Sequence, residues 1–289
     1  SALLREARIA LLAAMRLRRS HTHFSPSFDQ RTLASLTLIA KVRAGLNEDQ
    51  FEVHYQPKIR LTDGQVSGCE GLIRWRDHDG NLIPPGQFMP KVETTSLIGP
   101  VTHFVVQAAV AMARQDKGAG TVSINLSVHN LLDDQLHTLL HDLTGQSGMR
   151  PERLEVEITE SALIGDVEAA RRALQHFRDL GIGVSIDDFG TGFASFEYLQ
   201  HLPITGLKID RAFVAHLEED ERARKLMACM IDVGHALDLV VTAEGVETPQ
   251  QEEILRQLGC DQVQGFHYSP ALPAPEFQAW CQRRLDQTR

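Results

Sequence analysis

Short β-rich runs alternate with longer helical stretches from residue 51 towards the C-terminus, and this alternation constrains the fold more than any other feature. Eight runs are rich in β-branched and apolar residues; they are Phe51–Tyr55, Val66–Ile73, Thr121–Asn125, Leu154–Ile158, Gly183–Asp187, Gly206–Ile209, Val240–Ala243 and Gln262–Phe266. Helical stretches separate most of them, including Gly99–Arg114, Asp166–Leu180, Glu219–Ala236 and Pro249–Leu258. Alternating strands and helices predict a parallel sheet, and eight repeats over about 240 residues predict a (β/α)8 barrel of the α/β class.

The connection between the first two runs contains Thr62, Asp63 and Gly64, which is typical of a hairpin turn. A hairpin joins antiparallel strands, whereas parallel neighbours need a longer crossover. We therefore expect a modified TIM barrel in which one strand runs antiparallel to the others. Helices precede this barrel, because residues 2–19 and 29–44 both show helical periodicity.

The charge balance limits the partners that the chain can bind. It has 29 basic and 38 acidic residues and a formal net charge of −9, which argues against broad binding to DNA. A small anionic ligand is compatible with this charge if metal ions or a local basic group receive it. The four cysteines, at positions 69, 229, 260 and 281, form no CxxC pair, and this pattern predicts a reducing, cytoplasmic location.

The sequence predicts no membrane-spanning segment. The most apolar N-terminal stretch, Ala2–Leu17, is interrupted by four charged residues, so it is typical of an amphipathic helix. It also lacks the uninterrupted apolar core and the cleavage site of a secretory signal. Because the chain begins with Ser rather than Met, we expect it to be part of a longer protein, whose N-terminal regions could anchor it to a membrane.

Two adjacent carboxylates, Asp187 and Asp188, close the fifth run and lead into a glycine-rich segment. Neighbouring carboxylates repel each other, and on a regular strand they point to opposite faces. A bend at the strand end would bring both to one place, where a divalent cation would relieve the repulsion. The alternative is an ordinary strand end at which Asp188 caps a helix.

Polar side chains also stand at or near the ends of the other runs. They are Glu70 and Arg74 in the second region, Asn125 in the third, Glu157 and Glu160 in the fourth, Lys208 in the sixth, Glu244 and Glu247 in the seventh, and Gln264 in the eighth. Each alone has an ordinary explanation: Asn125 can cap the next segment, and Lys208 can be a surface lysine. Solvated loop residues would scatter over both ends of a barrel. The set, in phase with the strands, therefore predicts a site at their C-terminal ends.

The residue types in this set indicate the chemistry. Several carboxylates that converge on one mouth require cations, and oxygen donors without Cys or an obligatory His favour Mg²⁺ or Mn²⁺. Adjacent aspartates allow one carboxylate to bridge two ions, and two-metal sites activate water in phosphodiester cleavage. Lys208 can then orient that water, while Arg74 and Gln56 are suited to phosphate and base contacts.

The ordered motifs resemble those of the EAL domain, the family of cyclic-di-GMP phosphodiesterases. They are YQPK at 55–58, EGLIRW at 70–75, SINLS at 123–127, EITE at 157–160, IDDFGTGF at 186–193, LKID at 207–210, AEGVE at 243–247 and QGF at 264–266. The resemblance covers the chain from about Phe51 to the C-terminal region, and eight motifs in one order make it specific. It implies metal-dependent hydrolysis of cyclic-di-GMP to the linear dinucleotide pGpG.

The resemblance also implies a role for each matching residue. The implied metal ligands, with Asp187 bridging two Mg²⁺ or Mn²⁺ ions, are Glu70, Asn125, Glu157, Asp187, Asp188 and Glu244. The implied catalytic group, in which Lys208 assists the attacking water, consists of Lys208, Asp187, Glu244 and Glu247. The implied substrate contacts are Gln56, Leu72, Arg74 and Gln264. Ca²⁺ is expected to inhibit, because its looser coordination supports in-line attack poorly.

The segment that follows the paired aspartates has an implied regulatory role. Phe189, Gly190, Thr191 and Gly192 begin the loop FGTGFASF, which the resemblance implies is supported by Glu160 and couples the site to a homodimer interface. One departure from the family lies in the signature triplet, where Gly71 stands in place of the usual Ala. This change removes no ligand but loosens the backbone beside Glu70.

The N-terminal segment resembles the last helix and exit of a GGDEF domain, the cyclase domain often fused upstream. The matching stretches are LLREARIALLAAMRLRR and FSPSFD. We therefore predict a GGDEF-type remnant at residues 1–28, a connecting helix at 29–46 and the phosphodiesterase domain at 47–289. An upstream GGDEF or sensor domain would complete the full-length protein.

Two alternatives to an enzyme of this family follow from the same residues. The first is a catalytically silent EAL receptor that binds cyclic-di-GMP and signals through partners. Such receptors typically lose acidic ligands or alter the loop after the paired aspartates, and this sequence keeps both. The second is an unrelated Mg²⁺ barrel of lyase type, which explains the acidic strand ends but not the ordered motifs.

Overall fold

The computed structural model describes residues 26–115, 119–146, 149–163, 166–192 and 199–287, together with residues 7, 10, 11, 14 and 21. The described strands are β1 (Phe51–Arg60), β2 (Val66–Arg76), β3 (Leu82–Ile83), β4 (Thr121–Leu126), β5 (Leu154–Thr159), β6 (Gly183–Phe189), β7 (Gly206–Ile209), β8 (Val240–Glu244), β9 (Gln262–Gln264) and β10 (Leu272–Pro273). The described helices are α1 (Pro26–Asn47), α2 (Pro85–Val92), α3 (Ile98–Arg114), α4 (Val128–Leu131), α5 (Asp134–Gln146), α6 (Val167–Asp179), α7 (Arg211–Val214), α8 (Glu221–Ala236), α9 (Pro249–Gln257) and α10 (Ala274–Gln287). Single 3₁₀ turns at Pro151–Arg153 and Glu160–Leu163 flank β5.

The segments Glu52–Arg74 and Ile98–Arg289 form one compact unit, and its strands close into a barrel surrounded by helices. The strand order is β1-β9-β8-β7-β6-β5-β4-β2, and pairing between β1 and β2 closes the ring. Strands β2 and β4 to β9 run parallel to one another, whereas β1 runs antiparallel to β9, with Lys58 opposite Gln264. The modified TIM barrel and its eight predicted strands are confirmed, and the antiparallel strand is β1.

Apolar and polar residues alternate along the central strands. The apolar members are fully buried and include Val122, Ile124, Val156, Ile158, Val184, Ile186, Val241 and Ala243. The residues between them are also buried but polar, and they include Ser123, Glu157, Ser185, Lys208 and Thr242. Because successive side chains point to opposite faces of a strand, the apolar set packs under the helices and the polar set lines the barrel interior. Branched apolar residues usually fill such interiors, so this polar lining needs a specific network of partners.

Side-chain caps fix the points at which several helices begin. The Thr248 hydroxyl accepts the N–H of Gln251, and the Gln251 side chain accepts the N–H of Thr248, which forms a capping box at the start of α9. Ser127 caps α4 in the same way with Asn130. The alternative in which Asn125 serves as that cap is therefore wrong, because Ser127 occupies the capping position.

The second compact unit consists of Ser1–Phe51 and Trp75–Leu97. Three aromatic rings, from Phe51, Trp75 and Phe88, pack against one another with each pair of centroids 5.7 Å apart. The Trp75 indole N–H donates to Gln50 Oε1 at 3.1 Å. A large aromatic cluster of this kind holds a small unit together, because each ring buries an extensive apolar surface.

The predicted helices lie close to the observed ones. The four named between barrel strands correspond to α3, α6, α8 and α9, and their ends differ by two residues at most; the helix expected at 29–44 is α1 and is longer at both ends. The helix expected at residues 2–19 and the connector after it lie mostly outside the described residues. Among the described helices, none is long and apolar enough to cross a membrane.

Candidate active site

Asp187 and Asp188 lie near the end of β6, where the pairing with β7 shifts register between Ile186 and Phe189. Asp188 has a φ of 53°, in the left-handed region that Asp tolerates better than most residues. Such an irregularity re-aims side chains, and one oxygen each of Asp187, Asp188 and Glu244 lie within 4.8 Å of one another. The predicted bend is therefore present, and Asp188 lies inside a strand rather than at a helix N-cap.

Lys208 lies at the centre of the acidic residues and is 1% exposed. Its Nζ is 2.5 Å from Glu244, 2.6 Å from Glu157, 3.1 Å from Asp187 and 3.4 Å from Glu70. Those four carboxylates come from four different strands, so their meeting depends on closure of the barrel. The alternative of a surface lysine is wrong. One ammonium among four carboxylates leaves the cluster with an excess of negative charge.

The pKa values show where this excess is greatest. Burial, together with neighbouring carboxylates, raises the pKa of Asp187 to about 6 and that of Glu244 to about 8, although Lys208 opposes both shifts. Burial would also raise the pKa of Glu157, but Lys208 and Lys58 outweigh it and hold that pKa at about 2. Among the described residues, Glu157 therefore has two ammonium partners, whereas Asp187 and Glu244 contact Lys208 alone and share it with the other carboxylates.

The donors fit hard divalent cations. Asp187, Asp188 and Glu244 form an all-oxygen group, which suits Mg²⁺ or Mn²⁺. Of the other predicted ligands, Glu70 and Glu157 contact Lys208 directly, and Asn125 Nδ2 donates to Glu70 Oε1 at 2.6 Å. The structure thus brings all six predicted ligands to one end of the barrel.

Two glutamines extend the cluster on the side of β1 and β9. Gln264 Nε2 donates to Glu70 Oε2 at 2.7 Å and to Gln56 Oε1 at 3.1 Å, and Gln56 Nε2 donates to the Ser269 carbonyl at 3.2 Å. Gln264 is 4% exposed, and its Oε1 has no hydrogen-bond partner among the described residues. A buried amide oxygen without a donor is ready to accept a hydrogen bond from a ligand.

The remaining predicted residues lie farther from Lys208. Arg74 is half-buried on β2 and donates to the carbonyl of its neighbour Ile73 at 2.9 Å, while Leu72 is partly exposed on the same strand. Glu247 is exposed, and its backbone N–H donates to Gln251 Oε1 at 2.8 Å. The contacts of the acidic cluster, as far as the chain is described, do not include the Glu247 side chain. Its catalytic role stays a prediction.

The Glu160 carboxylate lies against the loop after the paired aspartates. Its Oε2 accepts the backbone N–H groups of Gly190 and Gly192, each at 3.2 Å. Phe189 is buried at the end of β6, and the Thr191 hydroxyl donates to the Asp188 carbonyl at 2.8 Å. The predicted support of the loop by Glu160 therefore has a direct contact, although the rest of the predicted loop, 193–196, lies outside the described residues.

Three residues of the site were missed in the sequence. Asp210 neighbours Asp188 and helps to raise its pKa, after burial as the main cause. Lys58 and Glu155 form a buried ion pair at 2.9 Å beside Glu157. Lys58 belongs to the motif YQPK and Asp210 to the motif LKID. Glu155 stands two positions before Glu157, and Asp210 two positions after Lys208, so charged residues two positions from a predicted site residue were the signal available.

A barrel whose C-terminal strand ends carry a lysine-centred carboxylate cluster belongs to the class of α/β barrels with a candidate divalent-metal site. Residues 39–271 match the model of the EAL domain. The chain belongs to the EAL domain family.

Several known proteins are similar to this chain. Signaling protein YkoW of Bacillus subtilis (strain 168) is 35% identical over 280 residues, which cover 96% of this chain and 35% of that protein. Cyclic di-GMP phosphodiesterase PdeR of Escherichia coli (strain K12) is 35% identical over 265 residues, covering 91% of this chain and 40% of PdeR. The solved structure of PaMucR phosphodiesterase in a c-di-GMP complex superposes with a TM-score of 0.79 at 35% identity, covering 83% of this chain and 99% of that one. The chain therefore spans between a third and two fifths of the length of these two curated relatives.

Proposed function

We propose that this chain hydrolyses cyclic-di-GMP to linear pGpG by a two-metal mechanism in bacterial signalling. The observation that carries the proposal is the buried cluster of Glu70, Glu157, Asp187 and Glu244 around Lys208. Similarity to PdeR, named as a cyclic di-GMP phosphodiesterase, and to PaMucR, solved in a c-di-GMP complex, supports the choice of substrate.

Two Mg²⁺ or Mn²⁺ ions, held by the six predicted ligands, would supply a nucleophilic water of lowered pKa and stabilise the leaving oxygen. Lys208 keeps its charge, because the surrounding carboxylates raise its pKa against the effect of burial. Its ammonium contacts four carboxylates in the metal-free chain, and in the loaded site it would donate a hydrogen bond to the attacking water in place of one of them. Asp187 lies at the irregular end of β6, and its carboxylate would be shared by the two ions.

The remaining polar groups fit recognition of a cyclic dinucleotide. Gln264 Oε1 is buried, has no donor among the residues that the structure describes and can accept an N–H of a guanine base, while Gln56 fixes the orientation of that amide. Arg74 is half-buried on β2 and can pair with a phosphate oxygen. Leu72 on the same strand offers an apolar contact, so the substrate would lie across the ends of β1, β2 and β9.

Incubation of the purified chain with cyclic-di-GMP and one divalent ion at a time tests this proposal. We expect pGpG to accumulate with Mg²⁺ or Mn²⁺ but not with Ca²⁺, because Ca²⁺ adopts looser geometry with more ligands. Chromatography of the products provides the measurement, and a reaction with EDTA is the control. Tight binding of the dinucleotide without any product would instead identify a silent receptor.

We also propose that the loop beginning Phe189-Gly190-Thr191-Gly192 couples the site to a homodimer interface, with Glu160 as its support. Glu160 follows β5, which also carries Glu157, and it accepts two N–H groups of the loop that comes directly after Asp188. Movement of the loop would therefore shift the carboxylates at the end of β6. This arrangement allows dimer geometry to alter metal binding.

Replacement of Gly192 by Ala is expected to lower kcat by about tenfold, the equivalent of roughly one lost hydrogen bond. A Cβ at Gly192 would lie 2.9 Å from the Glu160 carboxylate and would displace it from the loop. Kinetics and analytical ultracentrifugation measure the effect on turnover and on dimerisation. The matched control is Gly145→Ala in α5, where a Cβ meets nothing within 4 Å. Equal kcat values for the two variants would contradict the proposed coupling.

A further inference from the structure

Lys58 is a second buried ammonium inside the barrel and is 4% exposed. Its Nζ donates to Glu157 Oε1 at 2.7 Å, to Ser123 Oγ at 2.7 Å and to Glu155 Oε2 at 2.9 Å. An ammonium has three N–H donors, so these bonds use all of them. Lys58 is therefore fixed in place, unlike a flexible surface lysine.

Glu155 anchors this lysine from the side away from the barrel mouth. It lies two residues before Glu157 on β5, and both of its oxygens are bonded, since Ser185 Oγ donates to Oε1 and Ser123 Oγ to Oε2, each at 2.5 Å. Beneath it lies a cavity of about 260 Å³ lined by Lys58, Glu155 and the first residues of several strands. Lys58 thus lines this cavity and also contacts Glu157.

The two oxygens of Glu157 have different partners. Oε1 is bonded to Lys58, and Oε2 is bonded to Lys208 at 2.6 Å. Glu157 is completely buried, so its carboxylate has little room to rotate. Of the two oxygens, only Oε2 points to the group of carboxylates around Lys208.

We propose that Lys58 restricts Glu157 to ligation through one oxygen and thereby makes the metal site discriminate against Ca²⁺. Ca²⁺ accepts bidentate carboxylates and six to eight oxygens, whereas Mg²⁺ demands a near-ideal octahedron with shorter bonds. A carboxylate whose second oxygen is held by an ammonium can fill one octahedral position but cannot chelate. Lys58 is in this respect a positioning residue that acts through Glu157, and the inference rests on the metal site of the proposed function.

The substitution Lys58→Met tests the inference without any turnover measurement. Isothermal titration calorimetry gives the dissociation constants of Ca²⁺ and Mn²⁺ for the substrate-free protein. We expect the ratio of the Ca²⁺ constant to the Mn²⁺ constant to fall by about tenfold or more, because Glu157 Oε1 becomes free to chelate the larger ion. Loss of one positive charge affects two divalent ions alike, so it cancels in this ratio.

Two further variants separate positioning from stability. Ser185 pairs with Glu157 across the sheet, but its hydroxyl donates to Glu155. Ser185→Ala therefore removes a buried hydrogen bond and leaves the bonds of Lys58 to Glu157 in place, so it is expected to lower the melting temperature without changing the ratio. Lys58→Met combined with Glu155→Gln removes the carboxylate that would otherwise be left without its cation. This double variant is expected to show the same change in ratio as the single one, and it supplies the measurement if the single variant does not fold.

The outcomes distinguish the inference from the proposal on which it rests. An unchanged ratio in the Lys58 variants, with Mn²⁺ still bound by the unaltered chain, would overturn the role of Lys58 and leave the metal site standing. An equal change of ratio in Ser185→Ala would overturn it as well, because general loosening would then be the cause. Failure of the unaltered chain to bind Mn²⁺ would overturn both.

Discussion

Replacing Asp187 by Asn is expected to lower cyclic-di-GMP turnover by at least about 10³-fold, which corresponds to roughly 4 kcal/mol of transition-state stabilisation. An amide has one weak oxygen ligand and no charge, so it cannot bridge two cations. The fold should persist, because Asn keeps the shape of Asp and its oxygen can still accept the Asp188 N–H, which lies 3.0 Å from Asp187 Oδ1. Kinetics with Mn²⁺ and thermal denaturation with EDTA give the two measurements.

The sign of the stability change follows from the pKa of Asp187. This pKa is raised to about 6 in the folded chain, above the ordinary value of 3.8, mainly by burial. The ionised form therefore weakens the metal-free fold as the pH rises through 6, and Asn avoids that weakening. At pH 7.5 we expect the melting temperature with EDTA to be unchanged or higher in Asp187→Asn, whereas the gain on adding Mn²⁺ should shrink.

Asp166→Asn is the matched control, since it makes the same chemical change at a helix N-cap. Asp166 accepts the Ala169 N–H at the start of α6, and Asn caps helices equally well. Its kcat is expected to equal that of the unaltered chain. Turnover that survives in Asp187→Asn would show that Asp187 does not bridge two ions.

The sequence predicted the barrel from its alternating strands and helices, and it predicted the place of the site from polar residues near the strand ends. Apolar residues such as Val156 and Ile158 alternate with Glu157, so one face is buried under helices and the other enters the barrel. The existence of one antiparallel strand followed from a local turn at Gly64, whereas the structure identified that strand as β1. A sequence can predict features that repeat along the chain and features, such as a tight turn, that involve only a few consecutive residues.

The features that it did not recover depend on tertiary closure. Lys58 meets Glu155 and Glu157 only because β1 and β5 belong to one barrel, 97 and 99 residues apart in sequence. The sequence predicted a bend at the paired aspartates but not the left-handed conformation of Asp188, with φ at 53°, because Asp adopts that conformation only occasionally. Pairing of buried charges is decided by distances of a few ångströms, and strand patterns do not give such distances.

Replacing Lys208 by Met is expected to lower the free energy of unfolding of the metal-free chain by about 3–5 kcal/mol, the usual cost of removing one partner from a buried ion pair. Lys208 is the shared cation of Glu70, Glu157, Asp187 and Glu244, the first three of which are buried. Its loss leaves these carboxylates with the ammonium of Lys58, which contacts Glu157. Turnover should also be lost, since the group that orients the attacking water is gone. Urea denaturation with EDTA measures the stability.

The pH dependence of this loss separates an electrostatic cause from a packing defect. Without Lys208 the pKa values of Asp187 and Glu244, already about 6 and about 8, rise further, and carboxylates with raised pKa values weaken the fold as the pH increases through them. The stability difference should therefore be larger at pH 8.5 than at pH 6, and Mn²⁺ should reduce it by supplying positive charge. Lys225→Met is the control, because Lys225 pairs with Glu221 on the exposed face of α8 and should change stability by less than about 1 kcal/mol. A loss for Lys208→Met that is independent of pH and of Mn²⁺ would mean that a packing defect around the new side chain, rather than the lost charge, weakens the fold.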